Sequence, residues 1–167
     1  MKKTNPKLWG KLQAQLAPGE LKLDSATLEG HQGDKWFATG RPEAVALPRS
    51  SKAVSTILRF AHRHQIPVTP RGAGYGYVGG CVPLRGGIAL SVARMRRIKE
   101  IHEDDFVAVA QPGVITADLQ AKAEAKGLYY PPDPASRADC SIGGNVATNA
   151  GGPRCLKYGV TSDYVLG

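Results

Sequence analysis

Two glycine-dense stretches carry most of the chemistry that can be read from this chain. The first, PRGAGYGYVGG over residues 70–80, places Gly74, Gly76 and Gly79 in the spacing G-x-G-x-x-G. Glycines at that density let backbone N–H groups meet an anion with no Cβ in the way, so the chemistry on offer is the binding of phosphate. Arg71 adds a positive charge beside them. The Rossmann dinucleotide turn uses the same spacing, but its glycines open a helix and an acidic residue follows about 20 positions later. Here Cys81-Val82-Pro83-Leu84-Arg85-Gly86-Gly87 follows instead, then the strand-like Ile88–Val92, and Arg94 to Arg97 is basic. The Rossmann reading fails. Two readings stay open on the residues: an anion nest that needs no helix, or a wide connection between strands with no ligand.

The second stretch begins at Tyr129-Tyr130-Pro131-Pro132-Asp133-Pro134-Ala135-Ser136, which its prolines hold extended. It continues into CSIGGNVATNAGG over residues 140–152, where Ser141, Asn145, Thr148 and Asn149 offer short donors and acceptors. A polar cofactor needs such groups at close range. A turn network that satisfies its own backbone uses the same residues.

Other chemistries find less support. Cys81, Cys140 and Cys155 are odd in number and form no C-x-x-C, so neither a disulfide framework nor a zinc site is indicated. His62 and His64, two apart on a helix, point about 200° apart and make a poor metal pair. The net charge of +8 raises the question of nucleic acid. However, Lys2, Lys3, Lys7 and Lys11 and the run Arg94, Arg96, Arg97 and Lys99 carry no interleaved aromatics and no recognition motif. They read as solvated faces that exert a general pull on anionic ligands.

The elements that must position these stretches follow from periodicity. With 42% hydrophobic residues in 167, the chain can bury one ordinary core or two small lobes. Leu8, Leu12 and Leu16 predict a short amphipathic helix ended by Pro18-Gly19, within a polar lead-in over 1–40. Ala44–Leu47 is a buried strand stopped by Pro48. Ser50 or Ser51 caps a helix with an apolar stripe at Val54, Ile57, Leu58 and Ala61, and Val68-Thr69 begins a second strand. That is a βαβ unit with parallel strands, and the first glycine loop leaves the carboxyl end of its second strand, where open α/β sheets bind ligands. Phe106–Ala110 is a further strand, and Thr116 is expected to cap an Ala-rich helix that Gly127 ends. The fold class is α/β (α+β), with a first lobe over 41–103 and the start of a second, incomplete lobe over 104–167. No apolar run is long enough to cross a bilayer, and no apolar region follows Met1-Lys2-Lys3, so a cytoplasmic, soluble chain is expected.

In order and spacing, PRGAGYGYVGG, YYPPDPAS, CSIGGNVATNAGG and KYGVTSDYVLG resemble the FAD-binding domain of the vanillyl-alcohol-oxidase (PCMH-type) flavoproteins. The similar branch contains the glycolate oxidase large subunit and the D-lactate and D-2-hydroxyglutarate dehydrogenases, and the match runs from about Arg41 to Gly167. The resemblance implies that Pro70, Arg71, Gly72, Ala73, Gly74, Tyr75 and Gly76 wrap the FAD pyrophosphate, with Gly79 and Gly80 behind. It places Pro132, Asp133, Ser136, Ser141, Gly143 and Gly144 along the ribityl chain and flavin. Asn145, Thr148, Asn149, Ala150 and Gly151 continue that set, followed by Tyr158 and Gly159. Many relatives have Thr, Leu and Ser where this chain has Tyr75, Tyr77 and Val78. Covalent members have His at the place of Tyr75, so non-covalent FAD is implied, with Cys140 as the one other attachment point.

The implied activity of the whole enzyme is oxidation of a small 2-hydroxy acid, with an iron–sulfur or other electron-transfer partner and, through it, a peripheral place at the inner membrane. The family's substrate-side catalytic residues fall outside this chain. These residues alone are therefore expected to be inactive and prone to self-association. The rival reading is a stand-alone nucleotide-binding or scaffolding module without turnover.

Overall fold

A sheet of four short strands organises the first part of the chain. In the computed structural model, which describes residues 5–167, helix α1 (Pro6–Gln13) comes first, with the Asn5 side chain accepting from the Lys7 N–H. Lys2 and Lys3 lie outside the described residues. Strand β1 (Leu21–Lys22) and helix α2 (Ser25–Glu29), capped by Asp24, follow. Strand β2 (Ala44–Ala46), helix α3 (Ser51–Arg63), β3 (Val68–Arg71) and β4 (Ile88–Ser91) complete the sheet in the order β1-β2-β4-β3. The predicted βαβ elements and their parallel direction are present, but β4 lies between β2 and β3, each of which pairs with it in parallel.

The pleat sorts the core. Ala44, Ala46, Ile88 and Leu90 turn to one face, where Leu12 and α3 cover them, while Val45 and Ala89 pack with Leu28. A strand covered on both faces is apolar along most of its length, and β2 and β4 are buried from end to end, with Ser91 the one polar residue at the carboxyl end of β4. Ser50 is the α3 cap, its Oγ accepting from the Ala53 N–H at 3.2 Å. The helix buries Ala53, Ile57, Phe60 and Ala61. Leu58, predicted on that stripe, is instead 45% exposed, because it sits 100° around the helix from Ile57. The first forty residues are more than a lead-in: Leu12, Leu21 and Leu28 are core, and β1 pairs antiparallel with β2.

The chain divides into two compact units, Met1–Arg94 and Met95–Gly167. The second holds the antiparallel pair β5 (Ile98–His102) and β6 (Val107–Ala110), helices α4 (Thr116–Glu124), α5 (Ile142–Thr148) and α6 (Cys155–Tyr158), and a 3-10 turn over Thr161–Tyr164. Four sequence expectations are corrected here. In the basic run at 94–99, Arg96, Arg97 and Lys99 are exposed as read, but Arg94 is half-buried and its Nη1–H donates to the Gly19 carbonyl at 3.0 Å. Phe106 is not in its strand but in the preceding turn, at φ +56° and 80% exposed. Thr116 does not cap α4; Ile115 holds that position without a side-chain bond, and Thr116 is fully buried in the first turn. The segment 142–148, read as loop, is the helix α5, because Ser141 caps it and its small residues allow close packing. Gly127, at φ +70°, ends α4 as predicted, and the Leu128 N–H closes back on the Ala123 carbonyl at 3.0 Å.

Candidate functional site

β3 delivers Arg71 to the start of the first glycine loop. Among the described residues, the backbone N–H groups of residues 72–76 donate to no protein acceptor. They form a row of partly exposed donors with nothing opposite them. Gly76 and Gly80 lack a positive φ, and a Cβ added to either would meet nothing within 4 Å. The protein itself gives no reason for glycine at these two positions. Gly74 is different: its φ is +82°, and a Cβ there would stand 2.3 Å from the Arg71 guanidinium.

The loop is braced by a segment that sequence reasoning passed over. The Arg71 Nη1–H donates to the Gly33 carbonyl at 2.6 Å and lies 3.5 Å from Cys81 Sγ. The Gly79 N–H donates to Asp34 Oδ2 at 2.8 Å, and the Lys35 N–H donates to the Gly76 carbonyl at 3.1 Å. The Lys35 ammonium sits 4.5 Å above the Tyr75 ring. Trp36 lies edge-on to Tyr77, with ring centroids 6.2 Å apart, and both are exposed. Burial pushes the Cys81 thiol up, against the pull of Arg71. The available signal was HQGDKWF, a glycine–aspartate pair beside two aromatics in an otherwise polar stretch.

These features fit a pyrophosphate: a row of free N–H donors, open space at two Cα atoms, and positive charge. The group itself is chemically demanding in the same way, since its oxygens accept several bonds and its charge must be met.

In the second unit the predicted site residues are brought together, and most of their polar side chains are engaged with backbone groups or other side chains of that unit. Ser141 Oγ accepts from the Gly144 N–H at 3.3 Å, and the Asn145 Nδ2–H donates to Thr116 Oγ1 at 2.7 Å inside the unit. The Thr148 hydroxyl donates to the Gly144 carbonyl at 2.9 Å, and Asn149, left-handed at φ +47°, accepts from the Ser162 N–H at 2.9 Å. Asp133 holds Arg137 at 3.4 Å and Arg154 at 3.3 Å, while the Pro132 carbonyl accepts from Gln120 at 2.9 Å. The Ser136 and Ala150 carbonyls take the Cys140 N–H and the Thr161 hydroxyl. The Tyr158 carbonyl accepts from the Tyr164 hydroxyl, and Gly159 adopts φ +82°. Cys140 is buried, with its Sγ 3.2 Å from Thr116 Oγ1. Close approach accounts for two glycines: a Cβ at Gly143 would come within 2.7 Å of Pro112, and one at Gly152 within 1.9 Å of the Asp133 carbonyl oxygen.

Among the described residues no group of His, Cys, Asp and Glu is placed to hold a metal, and no helix is long and apolar enough to cross a membrane.

Parallel strands with a helix-free glycine loop of free N–H groups make an α/β arrangement suited to a nucleotide's pyrophosphate. The chain belongs to the FAD binding domain family, which matches residues 42–167. Over 126 residues it is 48% identical to glycolate oxidase subunit GlcD of Bacillus subtilis, covering 75% of this chain and 27% of that protein. Over 166 residues it is 40% identical to D-2-hydroxyglutarate dehydrogenase of Stutzerimonas stutzeri, covering 98% and 36%. The solved structure of an alkyldihydroxyacetonephosphate synthase matches with a TM-score of 0.88 at 24% identity, over 98% of this chain and 32% of that one, a likeness of fold. The chain thus spans about a third of the length of these curated relatives.

Proposed function

We propose that this chain is the FAD-binding portion of a flavin-dependent oxidoreductase acting on the CH–OH group of a small 2-hydroxy acid. Glycolate, D-lactate and D-2-hydroxyglutarate are the substrates that its relatives' names supply. The observation that carries the reading is the row of free N–H groups at 72–76 beside the open Cα atoms of Gly76 and Gly80. In this reading Pro70–Gly76, with Gly79 and Gly80 behind, holds the pyrophosphate. The residues from Pro132 to Gly159 named above lie along the ribityl chain and flavin. Because Asp133, Ser141, Asn145, Thr148 and Asn149 are already engaged with the protein, that second set contributes chiefly backbone groups and a packed wall. FAD, held non-covalently, supplies the acceptor for the hydride of the substrate carbon.

The groups that bind the hydroxy acid and take its proton belong to the part of the relatives' length outside this chain. The electrons then pass to an iron–sulfur or other electron-transfer partner of a cytoplasmic enzyme. The outer edges of β5 and β6 are open strand edges, which favour self-association.

Fluorescence titration tests the reading directly. FAD should bind more tightly than FMN or riboflavin, because the pyrophosphate is the group recognised. A folded protein that bound NAD and no flavin would sink it.

A further inference from the structure

We infer that Lys35, held in place by the Tyr75 ring, is the cation that meets the pyrophosphate at the 72–76 loop. The inference rests on the reading that this loop binds a nucleotide pyrophosphate. Two cations belong to the loop and the segment that braces it, Arg71 and Lys35. The Arg71 guanidinium is anchored to the fold through Nη1, which bonds the Gly33 carbonyl at 2.6 Å and lies 3.5 Å from Cys81 Sγ, and its plane lies where a Cβ on Gly74 would stand. Its charge contributes to the local field, but its Nη1 donor is spent within the fold.

Lys35 is free for the task. It makes no ion pair among the described residues. The acid beside it, Asp34, makes no ion pair with it, and its oxygens are engaged elsewhere, Oδ1 accepting from the Trp36 N–H at 2.9 Å and Oδ2 from the Gly79 N–H at 2.8 Å. The Lys35 backbone is fixed to the loop by its bond to the Gly76 carbonyl, and its ammonium rests 4.5 Å above the Tyr75 ring. One exposed ammonium therefore stands against the loop that presents five free N–H donors. A face-on ring restrains it without consuming a hydrogen-bond donor, which leaves all three for phosphate oxygens. This also gives Tyr75 a role that needs no bond from its hydroxyl to the ligand.

The test uses FAD, ADP, adenosine and riboflavin as probes on the parent protein and on Lys35→Gln, Lys35→Arg, Tyr75→Phe and Tyr75→Leu. Lys52→Gln, in α3, controls for the loss of one charge anywhere. Lys35→Gln is expected to weaken FAD and ADP about tenfold and to flatten the salt dependence of their binding. Adenosine and riboflavin binding should not change. Lys35→Arg and Tyr75→Phe should retain most of the affinity, and Tyr75→Leu should lose about two- to fivefold. Parent-like FAD and ADP affinity in Lys35→Gln, with FAD binding by the parent intact, overturns the inference and leaves the site reading standing. A parent that binds neither FAD nor ADP overturns both.

Discussion

The two glycine-dense segments look alike in sequence and are built for different purposes. In the second unit the fold itself requires the glycines: Gly143 and Gly152 each pass a backbone so closely that no Cβ fits. Its Ser, Thr and Asn side chains are spent on caps and internal bonds. In the first unit Gly76 and Gly80 face open space with ordinary φ, and a run of N–H groups has no protein partner. A glycine that the protein does not need for itself implies something that approaches from outside. The same residue type thus reports packing in one place and open approach space in the other, where the proposed pyrophosphate would lie, and substitution separates the two.

The largest effect is expected at Gly152→Ala. The new methyl would stand 1.9 Å from the Asp133 carbonyl oxygen, a rigid backbone atom, so the two segments must part. Overpacking of this kind costs about 3 kcal/mol. A chemical melt should show that loss without any ligand present. Parent stability in Gly152→Ala would mean that the second segment is not held together as described.

Gly76→Ala is the opposite case. Its methyl meets nothing within 4 Å and its φ is not positive, so the melting curve without ligand should stay within about 0.5 kcal/mol of the parent. FAD affinity should fall about tenfold to a hundredfold, through one or more lost bonds to a charged group. Gly74→Val would be a poorer probe, because φ +82° and the Arg71 guanidinium disturb the loop before any ligand arrives. Unchanged FAD affinity in Gly76→Ala would end the distinction between the segments.

Much of this was legible in the sequence, and the misses have physical reasons. The buried strands Ala44–Ala46 and Ile88–Ser91 and the helix after Ser50 announced themselves, because apolar runs and a cap leave local signals. β5 did not: Lys99, Glu100 and His102 are polar in a strand exposed on much of its surface, so no alternation is visible. The α5 helix was hidden by Gly143 and Gly144, poor helix formers, of which Gly143 is required because Pro112 lies against it, while a Cβ on Gly144 would crowd the capping Ser141 Oγ. Asp34 and Lys35 were missed because their partners Gly79, Gly76 and Tyr75 are some forty residues away, and single-sequence patterns carry no such pairing. Thr116 read as a cap because its residue type suits one. Tertiary burial against Asn145 and Cys140 decided otherwise.

The smallest expected effect is a pH dependence behind the first loop. His31 is half-buried, and its Nδ1–H donates to the Thr27 carbonyl at 2.8 Å. Burial holds its imidazole below the usual range; the Thr27 bond opposes this, and the Arg71 charge reinforces it. Since the folded pKa is depressed, the unfolded chain takes up the proton first as the pH falls. Stability from this group is therefore complete above about pH 6.5 and declines as the pH drops from there through the lower folded value. The ring is only half-buried, so water screens it and the shift in Tm between pH 8 and pH 5.5 should be only about 1–2 °C from this source. His31→Gln should remove that step. Asp24, also held low by its bonds to Thr27, titrates below its ordinary 3.8 and so lies outside this window. A pyrophosphate bound at the loop would partly neutralise Arg71 and let the His31 pKa rise again. Saturating ADP should then shrink the step in the parent and leave His31→Gln unaltered. An equal step with and without ADP would show that no phosphate charge reaches Arg71, and would remove Arg71 from the groups that meet the proposed pyrophosphate.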